Sequence, residues 1–318
     1  LDNPETEFLG VRGLLNQALK AGDHDAALKL ASRAYRLKPK SEWVAGTLFD
    51  LQTRNGAWID AAGTTDDMAR GKLLPRPDAD RRRAVVAFEL SADAAKLGDH
   101  DASLRHLKSA VDLAPDLVPA IVALMRRQVA NGAHRKAAAL AEKTWQAAPH
   151  PDLVSPYWDA RRAADGLARV KATEKLVAGN KSHVESHLAL ARASLAAELW
   201  GEARRHLGAA GAGKDGVDAS ARVCRMMAEL EEREHGDLVK AREWLVRAGN
   251  ANADPMWVCA DCGNAVQDWS SRCGNCQGFD TFSWRQPPHI AALAAVGGEG
   301  GDATPKLAPP DADKSAAA

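Results

Sequence analysis

Four of the chain's five cysteines fall within WVCADCGNAVQDWSSRCGNC, residues 257–276, spaced Cys259-x2-Cys262-x10-Cys273-x2-Cys276. Two residues between cysteines let one tight turn aim both sulfurs at a single point. Two such turns facing each other across a short hairpin close a tetrahedron of thiolates. Gly263 follows the second cysteine, where a positive φ frees backbone N–H groups to point at sulfur, and Gly274 and Gly278 stand in the second knuckle. Cys259, Cys262, Cys273 and Cys276 are therefore the expected metal ligands. All four corners are occupied, which leaves no position for water or substrate and favours a structural zinc. Iron in the same geometry, the less favoured occupant, would make an electron-transfer centre.

The surroundings suit a metal-nucleated module. Trp257, Trp269, Phe279, Phe282 and Trp284 crowd aromatic mass around the cysteines, and the alternation in FDTFSW, residues 279–284, predicts a strand. Metal binding worth roughly 10–16 kcal/mol would supply most of the folding free energy of so small a unit. The fifth cysteine, Cys224 in RVCRMMAEL, reads as a buried helical thiol.

Other constellations fall short of chemistry. GAAGAGKD, residues 208–215, nearly spells a phosphate-binding loop. Asp215, however, stands where a hydroxyl must meet magnesium, and the preceding HLGAA is helical, so a loop between repeats is expected. His183 and His187 lie four apart, but Glu185 is out of place for a zinc-protease motif, and they read as polar residues opening a helix. No dinucleotide fingerprint and no G-x-S-x-G elbow appears, so the sequence predicts no catalytic or cofactor-binding residues and no enzyme. Arg81-Arg82-Arg83 reads as a solvated helix start.

The elements that must carry the cysteine frame follow a ruler. GDHDA occurs at Gly22–Ala26 and Gly98–Ala102, each followed by Ala-x-x-Leu-x-Pro, and Gly22 to Gly56, Gly98 to Gly132 and Pro115 to Pro149 are all steps of 34. That period belongs to tetratricopeptide repeats. Alanines such as Ala27, Ala34, Ala110, Ala137, Ala141, Ala203, Ala241 and Ala248 let helices approach closely. Leu14, Leu28, Leu90, Leu104, Leu107, Leu190, Leu207, Leu230 and Leu245 recur at helical spacing and read as core. The step from Gly56 to Gly98 is eight residues too long, an excess assigned to a loop in KLLPRPDAD, residues 72–80. The predicted fold class is thus all-α, a superhelix of about seven helix pairs over residues 1–252. A small four-cysteine, rubredoxin-like zinc ribbon over 253–287 would cap the last helices or add a docking surface, followed by a disordered tail over 288–318. In this register Arg126 and Arg192 take equivalent places facing the hollow and are the candidate partner-binding residues.

Lysine plus arginine equals aspartate plus glutamate, 42 each, so no global field draws the 318-residue chain to nucleic acid or anionic lipid. No stretch approaches the roughly 18–20 apolar residues needed to span a bilayer. Cysteine usage fits a reducing compartment, and the opening Leu1 is compatible with a fragment of something longer.

DNPETEFLGVRGLL at the front, AAPHPDLV at 147–154, AELEEREHGDLVKAREWLVRA at 228–248, and WVCADCG followed by CGNCQGFDTFSW together resemble the HemY proteins of alphaproteobacteria, over roughly residues 5–287. That resemblance implies a tetratricopeptide region on the cytoplasmic face of the inner membrane, held by an N-terminal membrane segment absent from this chain. It also implies a non-enzymatic role beside late protohaem synthesis, with haem-pathway enzymes as protein partners. Gly274 stands where that family's second knuckle often has proline. A ribbon after repeats is also similar to LapB, which implies an adaptor in envelope lipid assembly as an alternative, alongside a rubredoxin-like electron carrier.

Overall fold

The structure, a computed structural model, describes residues 4–213 and 219–287; the expected tail over 288–318 lies outside them. Its helices come in pairs. α1 (Pro4–Ala21) pairs with α2 (His24–Leu37), α3 (Glu42–Arg54) with α4 (Trp58–Arg70), α5 (Arg76–Lys96) with α6 (His100–Leu113), and α7 (Val118–Ala130) with α8 (His134–Ala147). α9 (Val154–Arg161) with α10 (Gly166–Val177), α11 (Val184–Ala196) with α12 (Trp200–Leu207), and α13 (Ala221–His235) with α14 (Leu238–Asn250) complete seven pairs among the described residues. The architecture is a tetratricopeptide-type superhelix followed by a small sheet.

The repeated GD explains the turns. Gly22 and Gly98 take φ of +72° and +77° to reverse the chain, and the next residue caps the second helix: Asp23 accepts from the Ala26 N–H at 3.0 Å and Asp99 from Ala102 at 2.8 Å. Gly56, Gly132 and Gly236 repeat the left-handed turn, but pairs five and six make it with Arg162 at φ 53° and Glu198 at φ 58°. A side chain there costs about 1 kcal/mol relative to glycine. Glu198 is 70% exposed and reaches Arg233 only at 3.6 Å. Glu198→Gly is therefore expected to stabilise the chain by about 1 kcal/mol, read from the urea unfolding midpoint.

Several expectations about the helices change. The extra eight residues do not form a long loop: only 71–75 separate α4 from α5, and α5 runs 21 residues where α3 and α7 run 13. Pro77 falls in the first helical turn, where a missing N–H costs nothing. Leu14 and Leu245 are not core, being 54% and 53% exposed on α1 and α14. Residues 208–210 continue directly from α12 and the chain then kinks at Gly211, φ +115°, while Lys214 and Asp215 lie outside the described residues.

Small residues do set the packing. Ala27, Ala34, Ala110, Ala137, Ala141 and Ala203 are fully buried, Ala241 is buried, and Leu107, Leu190, Leu207 and Leu230 fill the spaces they leave.

After α14 the chain enters a three-stranded antiparallel sheet in the order β2-β1-β3, with β1 Met256–Cys259, β2 Ala265–Val266 and β3 Phe282–Arg285. The predicted strand over 279–284 begins only at Phe282, because Asp280 at φ 52° breaks the extended run. The sheet does not cap the last helices. It lies across the first helices of earlier pairs, and Trp257, Cys259, Cys273 and Phe282 share one buried cluster with α7 to α11.

Candidate metal centre

Each knuckle is the same backbone device. In the first, the Gly263 N–H donates to the Cys259 carbonyl at 3.0 Å and Cys259 N–H to Asn264 at 2.8 Å. In the second, Gln277 donates to Cys273 at 2.9 Å and Cys273 to Gly278 at 2.9 Å. The residue after the second cysteine is left-handed in both, Gly263 at φ +73° and Gln277 at φ 61°, so the second turn uses a glutamine where the first uses glycine. Gly278 is needed for another reason. A Cβ there would sit 2.6 Å from Asp261 Oδ2 and 2.7 Å from Thr281 Cγ2.

The four sulfurs lie within 4.8 Å of one another, and Cys259–Cys276 and Cys262–Cys273 are both 3.6 Å apart. That is too long for a disulfide, near 2.05 Å. It matches the edge of about 3.8 Å that four sulfurs make at about 2.3 Å from one zinc. Thr281 Oγ1 lies 3.1 Å from Cys259 Sγ, the Gly278 N–H donates to Cys276 Sγ at 3.4 Å, and Asn264 donates to Cys273 Sγ at 3.8 Å. Burial pushes the Cys259 thiol up, but Thr281 and the backbone N–H groups of Cys262 and Asp261 outweigh it and hold the thiol at about 6. Cys273 is likewise lowered, burial being overcome by the Cys276 and Asn275 N–H groups. Cys276 goes the other way, to about 12: the Gly278 N–H lowers it, but desolvation and hydrogen bonds to the other three sulfurs prevail. Four thiolates cannot share this volume without a cation, and the donor set fits a metal held by four cysteines.

The ribbon is fastened to the stack by charge and by rings. Arg272, 11% exposed, donates to the Asp50 carboxylate at 2.5 Å and also reaches Thr53 and its own neighbour Gln277. Arg81 holds Asp280 through two parallel bonds of 2.6 and 3.0 Å. Phe279 meets Phe49 edge-on at 4.9 Å, and Trp269 meets Phe88 at 5.5 Å. The triple arginine is thus no solvated helix start. Arg81 grips the ribbon, the Arg82 guanidinium lies 4.9 Å over Phe49, and Arg83 pairs with Asp66 at 2.6 Å.

His150, just before α9, was missed by sequence reading. It is 3% exposed, stacks on Trp257 at 5.4 Å and leans on Trp284 at 4.3 Å. Desolvation first, then the Arg222 charge, lowers its pKa to about 4. The unfolded chain therefore takes up this proton first. Stability is fully present above the unfolded value near 6.5 and drains away as pH falls towards 4. The expected loss is about 3 kcal/mol by pH 4, followed by urea unfolding. His150→Phe is expected to flatten that part of the profile.

The remaining candidates do not join this site. His183 caps α11, its Nδ1 accepting from Glu185 N–H at 3.1 Å, while His187 turns to His206, with 3.1 Å between Nδ1 atoms. Cys224 is buried, 1% exposed. Arg126 and Arg192 are exposed, each the ninth residue of a 13-residue helix, so their equivalence holds. Arg192 rims a small cavity of about 50 Å³ beside the Arg222–Glu185 ion pair.

No family model matches the chain. It is 33% identical over 241 residues to the probable magnetosome protein Mms48 of Magnetospirillum gryphiswaldense, a match covering 74% of this chain and 52% of that one. The chain therefore spans about half the length of this curated relative. Solved structures similar to it include a tetratricopeptide repeat protein from Parabacteroides merdae, 10% identical, covering 77% of this chain and 93% of that one at a TM-score of 0.36. The MamA protein is another, 12% identical, covering 72% and 94% at 0.29. These superpositions are loose, and the repeat fold rests on this chain's own helix pairs and steps of 34.

Proposed function

We propose that this chain is a non-enzymatic protein-interaction scaffold in which residues 1–252 form the repeat platform and residues 253–287 a ribbon closed by structural zinc. The observation that carries this reading is the cluster of four cysteine sulfurs within 4.8 Å of one another, two of them on cysteines buried in the core shared with the repeats. Repeat surfaces then supply the recognition, with Arg126 and Arg192 as exposed contacts. The finer assignment, partners from late protohaem synthesis at the inner membrane, is supported by the resemblance of the quoted motifs to HemY. The name of the 33%-identical relative points to the magnetosome instead. Affinity capture of the full-length protein from membranes, with identification of bound proteins and pigment, separates them. Haem-pathway enzymes in the eluate support the first, and their absence beside other specific partners removes it.

A second reading has its own observation. Cys262 and Cys276 are exposed residues, which brings the cluster close to the surface, as an electron carrier requires. Iron with thiolate charge-transfer absorption in purified protein would favour that reading, and colourless zinc would end it.

A further inference from the structure

The ribbon covers much of the face through which the repeats could bind a partner. It buries Trp257 and Phe282 in a core shared with α7 to α11 and adds ion pairs at Asp50 and Asp280. With the ribbon seated there, docking is sought on surface that it leaves open.

Among the described residues, a run of three clefts along pairs one to three stays open, of about 630, 630 and 680 Å³. The first and middle clefts share Trp43, and the middle and last share Leu73 and Leu74, so the three form one track. Its far wall is Asp50, the residue that Arg272 of the ribbon holds. The charge is lopsided at one end. Among the described residues the first cleft has Arg12, Lys38 and Lys40 and no carboxylate, the middle has one cation against two carboxylates, and in the last Arg70, Arg76 and Arg83 are already paired with Asp67, Asp80 and Asp66. This occurs in a chain of zero net charge. The apolar part is prepared as well: Trp43 stays 43% exposed, with the Arg12 guanidinium 5.4 Å over its ring, and the Lys38 ammonium lies 4.9 Å over Phe8.

We propose that this track is the docking site for an extended acidic protein segment bearing apolar side chains. Its carboxylates would meet Arg12, Lys38 and Lys40, and an aromatic or aliphatic side chain would lie on Trp43. The inference rests on the scaffold reading and names the chemistry of its partner. Three connected clefts suit an extended chain, which advances about 3.3 Å per residue, better than a compact ligand. Exposed cations give an attraction that weakens with salt.

The test uses the intact, metal-loaded chain and a fluorescein-labelled 12-residue peptide alternating glutamate with leucine and phenylalanine, followed by anisotropy. Binding is expected to weaken at least tenfold in the combined variant Arg12→Glu, Lys38→Glu and Lys40→Glu, and severalfold in Trp43→Ala. It should also weaken between 50 and 300 mM salt, and a peptide with lysine for glutamate should not bind. All the charge changes lie at exposed positions, and circular dichroism checks that the helices persist. Equal binding by the triple variant, equal binding of the lysine peptide, or capture by phosphatidylglycerol vesicles without peptide binding would overturn the proposal. In the membrane capture experiment, a triple variant that retains all partners sinks this site alone, whereas a wild-type chain that retains none sinks the scaffold reading.

Discussion

Stripping the metal from the intact chain with a chelator, or replacing Cys259 with serine, is expected to unfold the ribbon while leaving most helices in place. The strands are four, two and four residues long, too short to stand alone. Cys259 is also fully buried, so its loss removes a ligand and leaves a polar gap inside the shared cluster. Metal contributes roughly 10–16 kcal/mol to such modules, more than the whole net stability of a typical domain. Hydrogen exchange should show amides 256–285 losing protection. Inner amides of α3 and α5, which Phe279 and Trp269 cover, should open next, while far-ultraviolet circular dichroism changes little. Ribbon amides that stay protected after full metal removal would mean the aromatic contacts alone hold it.

Arg272→Ala is expected to cost about 3 kcal/mol. One guanidinium here satisfies acceptors on both modules: the Asp50 carboxylate, the Thr53 hydroxyl and the Gln277 carbonyl. Removing it takes the donor from the buried Thr53 hydroxyl and the partner from the part-exposed Asp50 carboxylate. Asp50 retains Arg54 at 2.9 Å and is 40% exposed, so the loss falls short of that for a fully buried pair. Arg272→Lys should recover only part, since one ammonium cannot span the acceptors of a planar fork. Urea unfolding with the metal in place measures both variants. A cost under 1 kcal/mol for Arg272→Ala would show that the rings carry the docking.

Much of this architecture was readable from residues alone because its signals are local. A glycine that must turn left-handed, an aspartate that caps the next helix and a C-x2-C pair each act within a few positions, and the step of 34 counts them. Where a local signal was absent, reading failed. Arg162 and Glu198 make the glycine's turn without being glycine, and Pro77 starts a helix where prolines had suggested a loop. Helical periodicity placed Leu14 and Leu245 on an apolar face but could not tell that both stay exposed on α1 and α14. The docking of the ribbon was least legible. Arg272 meets Asp50 across 222 residues and Arg81 meets Asp280 across 199, and no spacing rule reaches that far.

X-ray absorption of the purified, reduced protein tests the central claim most directly. A zinc edge with four sulfur scatterers at about 2.3 Å, one metal per chain, is the result predicted. A shell containing nitrogen or oxygen, or a chain with no bound metal, would contradict it.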